Sequence, residues 1–369
     1  MLKVQQKLMD LLNSKHRVMS KSQIEHIISK NKSEENAKQL QVLIQALRIG
    51  ETYFEWDESM QTITLVGQSV SGYLDMYFDD EGLLDKFYIL PNMPTVSDFT
   101  AFEQAVRCLG VDYEIQFIQN DEKLVTQSNK NNILAIASMV KIIVAACVYR
   151  EINEERLSFQ TEIEVKREDI SVLSSGISED NIGQTFTIRE LLKLMLIFSD
   201  NTAMDILLKY LGTQRLKSFL FYISEFSDDI SDIAVIPLTK YLYGKAWCPD
   251  ETSEDTWRYL AMTQVAWTKG LDYFIQLDCI RFCMNDLLNQ KWLPWDDLPN
   301  ESKLIYKGGS APGVLSCLWS SRTKESKEFM QFVFTLNRKT PFSLLEEIYI
   351  FGCANQLLYH SGLVTLEHK

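Results

Sequence analysis

Two side chains near the middle of the chain, Ser138 and Lys141, have the types and the spacing that nucleophilic catalysis needs. They lie where a loop containing Asn131 and Asn132 gives way to a strongly apolar helical segment. A spacing of three places both side chains on one face of a helix. Burial among apolar neighbours would lower the pKa of Lys141, so that its neutral amine could accept the serine proton. The alternative is that Ser138 only caps the helix while Lys141 extends to solvent.

The distribution of histidines argues against a histidine as the base for this serine. The chain has four, and none lies between residues 27 and 359: His16, His26, His360 and His368. A Ser-His-Asp triad within the main domain is therefore not expected. The absence of histidine also argues against zinc at Cys279 and Cys283, which stand four residues apart, and we expect neither a metal nor a cofactor.

Two further polar motifs follow in the sequence. Ser199-Asp200-Asn201 comes after an amphipathic helical segment over 188–197, and Lys307-Gly308-Gly309-Ser310 ends a predicted strand. Taken singly, the first is typical of a helix N-cap and the second of a glycine-rich turn between strands. All three motifs in this order are much less expected by coincidence than any one of them.

Together, the three motifs resemble those of penicillin-recognising serine enzymes, and their spacings are most similar to those of class A β-lactamases. The resemblance covers about residues 97–365. The segments 173–176 and 307–313 are also similar to β-lactamase-like proteins of clavulanic acid biosynthesis. The resemblance implies an α+β fold, in which helices flank an antiparallel sheet and a second lobe is all helical.

The resemblance implies catalytic roles for four residues. Ser138 would be the nucleophile, and Lys141 would be its activating base. Ser199 would relay a proton to the leaving group. Lys307 would supply positive charge for a substrate carboxylate and tune Ser199.

Four more residues are implied to bind the substrate or stabilise its oxyanion. Asn201 would hold a substrate amide or orient the catalytic lysine. The backbone N–H groups of Ser310 and of the nucleophile would form the oxyanion hole, beside Gly309. Ser175 would lie at the mouth of the cleft.

The sequence departs from the class A pattern in two places. Class A enzymes carry a water-activating glutamate on a loop after the second motif, but the window 229–237 contains no glutamate. Asp229 or Asp232 could substitute, although each is more typical of a solvated loop acid. Gly308 replaces the hydroxyl residue that is usual in the third motif. The missing glutamate predicts slow hydrolysis of the acyl-enzyme and therefore slow turnover of β-lactams. Gly308 weakens the case for a carboxylate-bearing β-lactam substrate, although Ser310 could partly compensate.

These observations lead to three functional hypotheses. The first is a serine hydrolase or acyltransferase that acts on a small ester, amide or lactam through a Ser138 acyl-enzyme. The second is a non-hydrolytic protein that uses the same fold to bind and sense a ligand. The third is a true class A β-lactamase, which predicts rapid turnover of nitrocefin.

The composition and the first residues limit the classes of partner and the cellular compartment that we expect for this protein. The 369 residues carry 37 basic and 50 acidic side chains, a net charge of −13, which argues against broad binding to nucleic acid. The first residues lack the apolar stretch of a secretory signal, which predicts a cytoplasmic protein. The longest apolar run, 133–149, has Ser138 and Lys141 at its middle, so no membrane span is expected.

The first part of the chain predicts a separate small domain. Helical periodicity over 2–49 is followed by four short β-prone runs, which suggests an α+β domain over 1–94. A winged helix is the alternative, but nine basic and eight acidic residues over 1–68 give a net charge of only +1, which is a poor phosphate-facing surface. Residues 95–369 would form the β-lactamase-like domain.

Overall fold

The chain divides into two compact units, each of which is described by itself. The computed structural model describes residues 3–14, 24–50, 52–120, 122–130, 133–171, 173–224, 238, 262–298, 304–321 and 329–362. Unit 1 comprises 1–111, 252–265 and 338–362, and unit 2 comprises 112–251, 266–337 and 363–369. The predicted domain boundary near residue 94 stays a prediction.

Unit 1 contains an antiparallel meander of four strands in the order β1-β2-β3-β4. The strands are β1 (Tyr53–Asp57), β2 (Thr62–Val66), β3 (Ser71–Phe78) and β4 (Leu84–Pro91). In the described part of the chain before them lie two helices, α1 (Lys3–Leu12) and α2 (Glu34–Leu47). Leu65, Leu74 and Leu84 are buried, which is the one-sided burial expected of strands with alternating apolar residues.

Unit 1 has two more helices among its described residues. They are α3 (Phe99–Arg107) and, near the end of the chain, α8 (Leu344–His360). Helix α8 begins with a capping box, in which Ser343 accepts from the backbone of Glu346 and the Glu346 carboxylate accepts from Ser343 N. The backbone N–H of Val96 donates to the Gln356 side chain, which ties α8 to the segment before α3.

Unit 2 is built on a five-stranded antiparallel sheet in the order β6-β5-β11-β10-β9. Its strands are β5 (Asp112–Gln119), β6 (Glu122–Ser128), β9 (Leu304–Ala311), β10 (Val314–Ser321) and β11 (Met330–Asn337). The early strand β5 pairs antiparallel with the late strand β11. Strand β9 does not end at the glycines but continues to Ala311, because Ala311 pairs with Val314 across a turn in which Gly313 has a φ of +76°.

The other described residues of unit 2 include a helical cluster and a small two-stranded sheet. The helices are α4 (Val140–Asn153), α5 (Ile188–Ile197), α6 (Asn201–Ser224, kinked at Gly212) and α7 (Leu277–Leu288); β7 (Glu162–Glu164) pairs with β8 (Thr185–Thr187). Helix α4 is apolar and buried on nearly all sides, as expected of a central helix. Its core continues to Ile305, Leu318 and Val333 on the five-stranded sheet.

This combination of antiparallel sheets and a helical cluster confirms the predicted α+β class. No helix within the described ranges is both long enough and apolar enough to cross a lipid bilayer.

Candidate active site

Ser138 lies in a single 3₁₀ turn, Ala137–Met139, that leads directly into the buried helix α4. Ala137 has a φ of +46°, a left-handed conformation that costs a residue with a Cβ free energy. The side chain of Ser138 is partly exposed while the residues on both sides of it are buried. The strained turn therefore presents one hydroxyl to solvent at the start of an apolar helix.

The Lys141 amine lies at the centre of a hydrogen-bonded group of polar atoms. Its Nζ is 3.1 Å from Ser138 Oγ and 3.1 Å from Ser199 Oγ. It is also 2.6 Å from the backbone oxygen of Ser199 and 2.7 Å from Asn201 Oδ1. The two shorter contacts go to oxygens that only accept hydrogen bonds, so these take up both N–H donors of a neutral amine. The nitrogen lone pair is then available to a hydroxyl.

Burial is the largest cause that holds the pKa of Lys141 well below its usual value of 10.5. The side chain is 0% exposed, and the charge of Lys307 lowers the pKa further. The carboxylates of Asp200 and Asp205 act in the opposite direction. Desolvation of the ammonium dominates, and the direction of the shift favours the uncharged amine.

Ser199 links the two lysines of the site. Lys307 Nζ donates to Ser199 Oγ at 3.0 Å and to the backbone oxygen of Gly308 at 2.5 Å. Ser199 has a φ of +56°, in the short connection between helices α5 and α6. This second left-handed residue turns its hydroxyl toward both amines. Burial lowers the pKa of Lys307 to about 8.

The edge strand β9 passes very close to the 3₁₀ turn that contains Ser138. A Cβ added to Gly309 would lie 2.5 Å from the oxygen of Ile136 and 2.8 Å from the nitrogen of Ser138. Ser316 on the neighbouring strand donates its hydroxyl to the oxygen of Ile136 at 2.6 Å. Glycine is therefore required at 309 because two backbones approach each other there.

Asp200 anchors the loop that borders the site. One of its oxygens, Oδ2, accepts from the backbone nitrogens of Ser175, Gly176 and Ile177 and from the hydroxyl of Ser174. The other accepts from the nitrogen of Ala203 at 2.7 Å. The carboxylate is 0% exposed, so these donors replace water completely. Asp200 is part of the second sequence motif, but the motif alone does not indicate that this carboxylate holds a loop 25 residues earlier in the chain.

We expect Asp200→Ala to destabilise the protein by about 3–5 kcal/mol, because it leaves several buried donors without an acceptor. Urea unfolding followed by circular dichroism measures the change. Asp200→Asn keeps a carbonyl oxygen and should lose less. A loss below about 1 kcal/mol in the alanine variant would contradict the anchoring role.

The residues expected to bind substrate occupy distinct places around this group. Asn201 donates from Nδ2 to the oxygen of Leu173 at 3.0 Å while its Oδ1 contacts the lysine amine. Ser175 directs its hydroxyl to the oxygen of Phe198 at 2.6 Å, within the loop that Asp200 holds. Ser310 is exposed on β9, one residue beyond Gly309. The binding roles of these residues stay predictions.

The structure describes only one of the two departures from the class A pattern. The window 229–237, with Asp229 and Asp232, lies outside the described residues. At Gly308, an added Cβ would collide with the phenol oxygen of Tyr306. Tyr306 thus occupies the space that a side chain at 308 would need.

One residue that the sequence interpretation missed contacts the 3₁₀ turn Ala137–Met139. Asp272 Oδ1 accepts from the backbone nitrogen of Ala137 at 2.9 Å. The available signal was a single acid between apolar residues, Leu271 and Tyr273, which is an unusual setting for a carboxylate. Within the described residues, no group of three or more His, Cys, Asp or Glu side chains is arranged to hold a metal.

Comparisons with known proteins agree with the motifs. Residues 100–221 match the model of the beta-lactamase enzyme family. A curated relative, Beta-lactamase VEB-1 of Pseudomonas aeruginosa, is 29% identical over 143 residues, which are 37% of this chain and 48% of the relative. The match therefore spans about half the length of that relative.

Solved structures also match the chain over most of its length. The beta-lactamase from Sphaerobacter thermophilus DSM 20745 has a TM-score of 0.47 at 18% identity, covering 74% of this chain and 100% of that one. A beta lactamase from Xanthomonas campestris pv. campestris str. ATCC 33913 has a TM-score of 0.47 at 17% identity, covering 70% and 94%. Both TM-scores are below 0.5.

Proposed function

Since the chain is β-lactamase-like over the matched residues, we propose that it is a serine hydrolase or acyltransferase that forms a covalent acyl-enzyme on Ser138. The observation that carries this proposal is the 3.1 Å separation between Ser138 Oγ and the buried amine of Lys141. A neutral amine at that distance can take the hydroxyl proton as the oxygen attacks a carbonyl carbon.

In the proposed acylation, the Ser138 oxygen bonds to the carbonyl carbon of an ester, amide or lactam, and its proton passes to Lys141. Ser199 contacts both Lys141 and Lys307, so it can pass a proton to the departing group. The bond from the carbonyl carbon to the leaving oxygen or nitrogen breaks as that atom takes the proton, which gives a free alcohol or amine from an ester or amide and an amine still attached to the acyl group from a lactam. Water or a second acceptor releases the acyl group from Ser138.

Lys307 is proposed to bind a carboxylate on the substrate. Its ammonium is buried and shares Ser199 Oγ with the catalytic amine, so an anionic substrate group beside it would be held near the nucleophile. We propose that the substrate is a small molecule that combines an acyl bond with an anionic group.

The cytoplasmic location of the protein stays a prediction.

We expect this carboxylate binding to weaken in alkaline solution. Burial lowers the pKa of Lys307 to about 8, so its positive charge is present below that pH and lost above it. KM for a carboxylate-bearing substrate should therefore rise about tenfold for each pH unit above the pKa. Initial rates across this range measure it, with the methyl ester of the same substrate as the uncharged control. Equal pH profiles for acid and ester would contradict the assignment.

Mass spectrometry of the intact protein tests the proposed function. We expect incubation with a fluorescent penicillin, or in parallel with a fluorophosphonate, to add the mass of one probe. Tryptic peptides should place the adduct on Ser138. A protein that the penicillin stabilises against heat without any adduct would instead be a ligand-binding sensor. A protein that neither probe modifies or stabilises would refute the proposal.

A further inference from the structure

The segment around Asp272 holds the residues before the nucleophile by several hydrogen bonds. Asp272 Oδ1 accepts from the nitrogens of Ala137, at 2.9 Å, and Tyr273, at 2.6 Å. The backbone oxygen of Tyr273 accepts from the nitrogen of Ile136 at 3.0 Å. One residue further, Ala135 forms a β-bridge with Phe274. The segment 272–274 therefore runs beside 135–137 and contacts each of its three residues.

The opposite side of 135–137 is fixed by the sheet. The oxygen of Ala135 accepts from Thr335 Oγ1 at 2.6 Å and from Asn337 Nδ2 at 2.9 Å, and Ser316 bonds to Ile136. These contacts fix residues 135 and 136 but none of them reaches Ala137. The side chain that bonds to Ala137 is that of Asp272, and Ala137 has the left-handed backbone.

We propose that Asp272 is a positioning residue, whose carboxylate keeps Ala137 in its left-handed conformation and thereby directs the Ser138 hydroxyl toward Lys141. The inference rests on the proposed function of Ser138. A left-handed alanine costs about 1 kcal/mol or more, so the conformation persists only where neighbouring groups hold it. A carboxylate acceptor gives a stronger bond to an N–H than a neutral oxygen does.

The surroundings of Asp272 support this role. Burial raises the pKa of its carboxyl to about 6, while the N–H groups of Tyr273 and Ala137 act in the opposite direction. Exchange of the carboxylate for an apolar group would leave both N–H groups without this acceptor. Ala137 could then relax to a negative φ, which would rotate the next residue, Ser138. A displacement of about 1 Å at a reacting group can cost about 10²-fold in rate.

The test compares Asp272→Leu with Asp272→Asn in the full chain. The measured quantity is the second-order rate of labelling by a fluorescent penicillin, per folded molecule as judged by circular dichroism. We expect the leucine variant to label about 10²-fold more slowly, and the asparagine variant, which keeps an acceptor oxygen, to label within a few-fold of wild type. Adding Ala137→Gly to the leucine variant should restore much of the rate, because glycine adopts a positive φ freely.

Glu346→Ala is the matched control, because it removes another carboxylate that accepts a backbone N–H but lies in unit 1. We expect it to lower stability and leave the labelling rate unchanged. Wild-type labelling in the leucine variant, or no restoration by Ala137→Gly, would overturn the positioning role. If Asp272→Leu does not fold, the test rests on Asp272→Asn. Labelling of that variant about 10²-fold more slowly than wild type would then overturn the positioning role.

Failure of the proposed function gives a different result, since wild type itself would then remain unlabelled. Hydrogen exchange of the 134–139 backbone then still tests the anchor. We expect the Ala137 amide to be protected in wild type and in Asp272→Asn, and to exchange faster in Asp272→Leu. Equal exchange in all three proteins would overturn the inference without reference to activity.

Discussion

Ser138→Ala is expected to abolish covalent labelling by the fluorescent penicillin completely, because the alanine side chain has no oxygen to form the acyl bond. The fold should survive, since Ser138 is partly exposed and its oxygen makes one described contact, with Lys141. Gel fluorescence and intact mass after equal incubation measure the effect. Thermal unfolding confirms that the variant is folded.

Ser158→Ala is the matched control for this substitution. Ser158 is exposed in the same unit, and its oxygen accepts from the nitrogen of Gln160. We expect this variant to label like wild type. Persistent labelling of Ser138→Ala would mean that another residue is the nucleophile, and the assignment of the site would then be wrong.

Lys141→Met is expected to slow the acylation of Ser138 by about 10²–10⁴-fold, the usual cost of removing a general base. Methionine has a similar length and no polar atom to bury, so we expect the folded structure to be kept. Stopped-flow measurement of the acylation rate at several probe concentrations separates this rate from probe binding. We expect the loss in rate rather than in binding, because Lys141 contacts the nucleophile.

The control for Lys141→Met is Lys209→Met in the same helical cluster. Lys209 is half-exposed and pairs with the exposed Glu168 and, at 2.7 Å, with the buried Asp169, and neither carboxylate has a described contact with Ser138. Its acylation rate should equal that of wild type. Retention of most of the rate in Lys141→Met would show that some other group removes the proton from Ser138.

Much of the fold could be predicted from local sequence patterns. The four short β-prone runs that the sequence predicts within 1–94 are the strands β1 to β4, and the α5 capping box can be read from Thr187 and Glu190. The true end of strand β9 could not be predicted, because it depends on pairing with β10 rather than on the glycines. Patterns within a segment report its own periodicity, whereas partners across the sheet decide where a strand stops.

The candidate site, like the fold, could be predicted from the sequence only in part. The three motifs, which contain Ser138 with Lys141, Ser199 and Lys307, lie in three separate segments, and the structure brings these segments into one hydrogen-bonded group. Asp272 was missed because its bond to Ala137 joins residues 135 positions apart. The need for glycine at 309 depends equally on a close approach of two distant backbones. Such contacts leave no periodic signal in a single sequence.

The central claim is that Lys141 presents an uncharged amine to Ser138. Nuclear magnetic resonance of protein labelled with ¹³C at lysine Cε tests it directly, and Lys141→Met identifies the signal. We predict that this signal titrates well below 10.5, the usual lysine value, because burial disfavours the ammonium. Titration of Lys141 near that usual value would leave the amine charged at neutral pH and would contradict its role as the base.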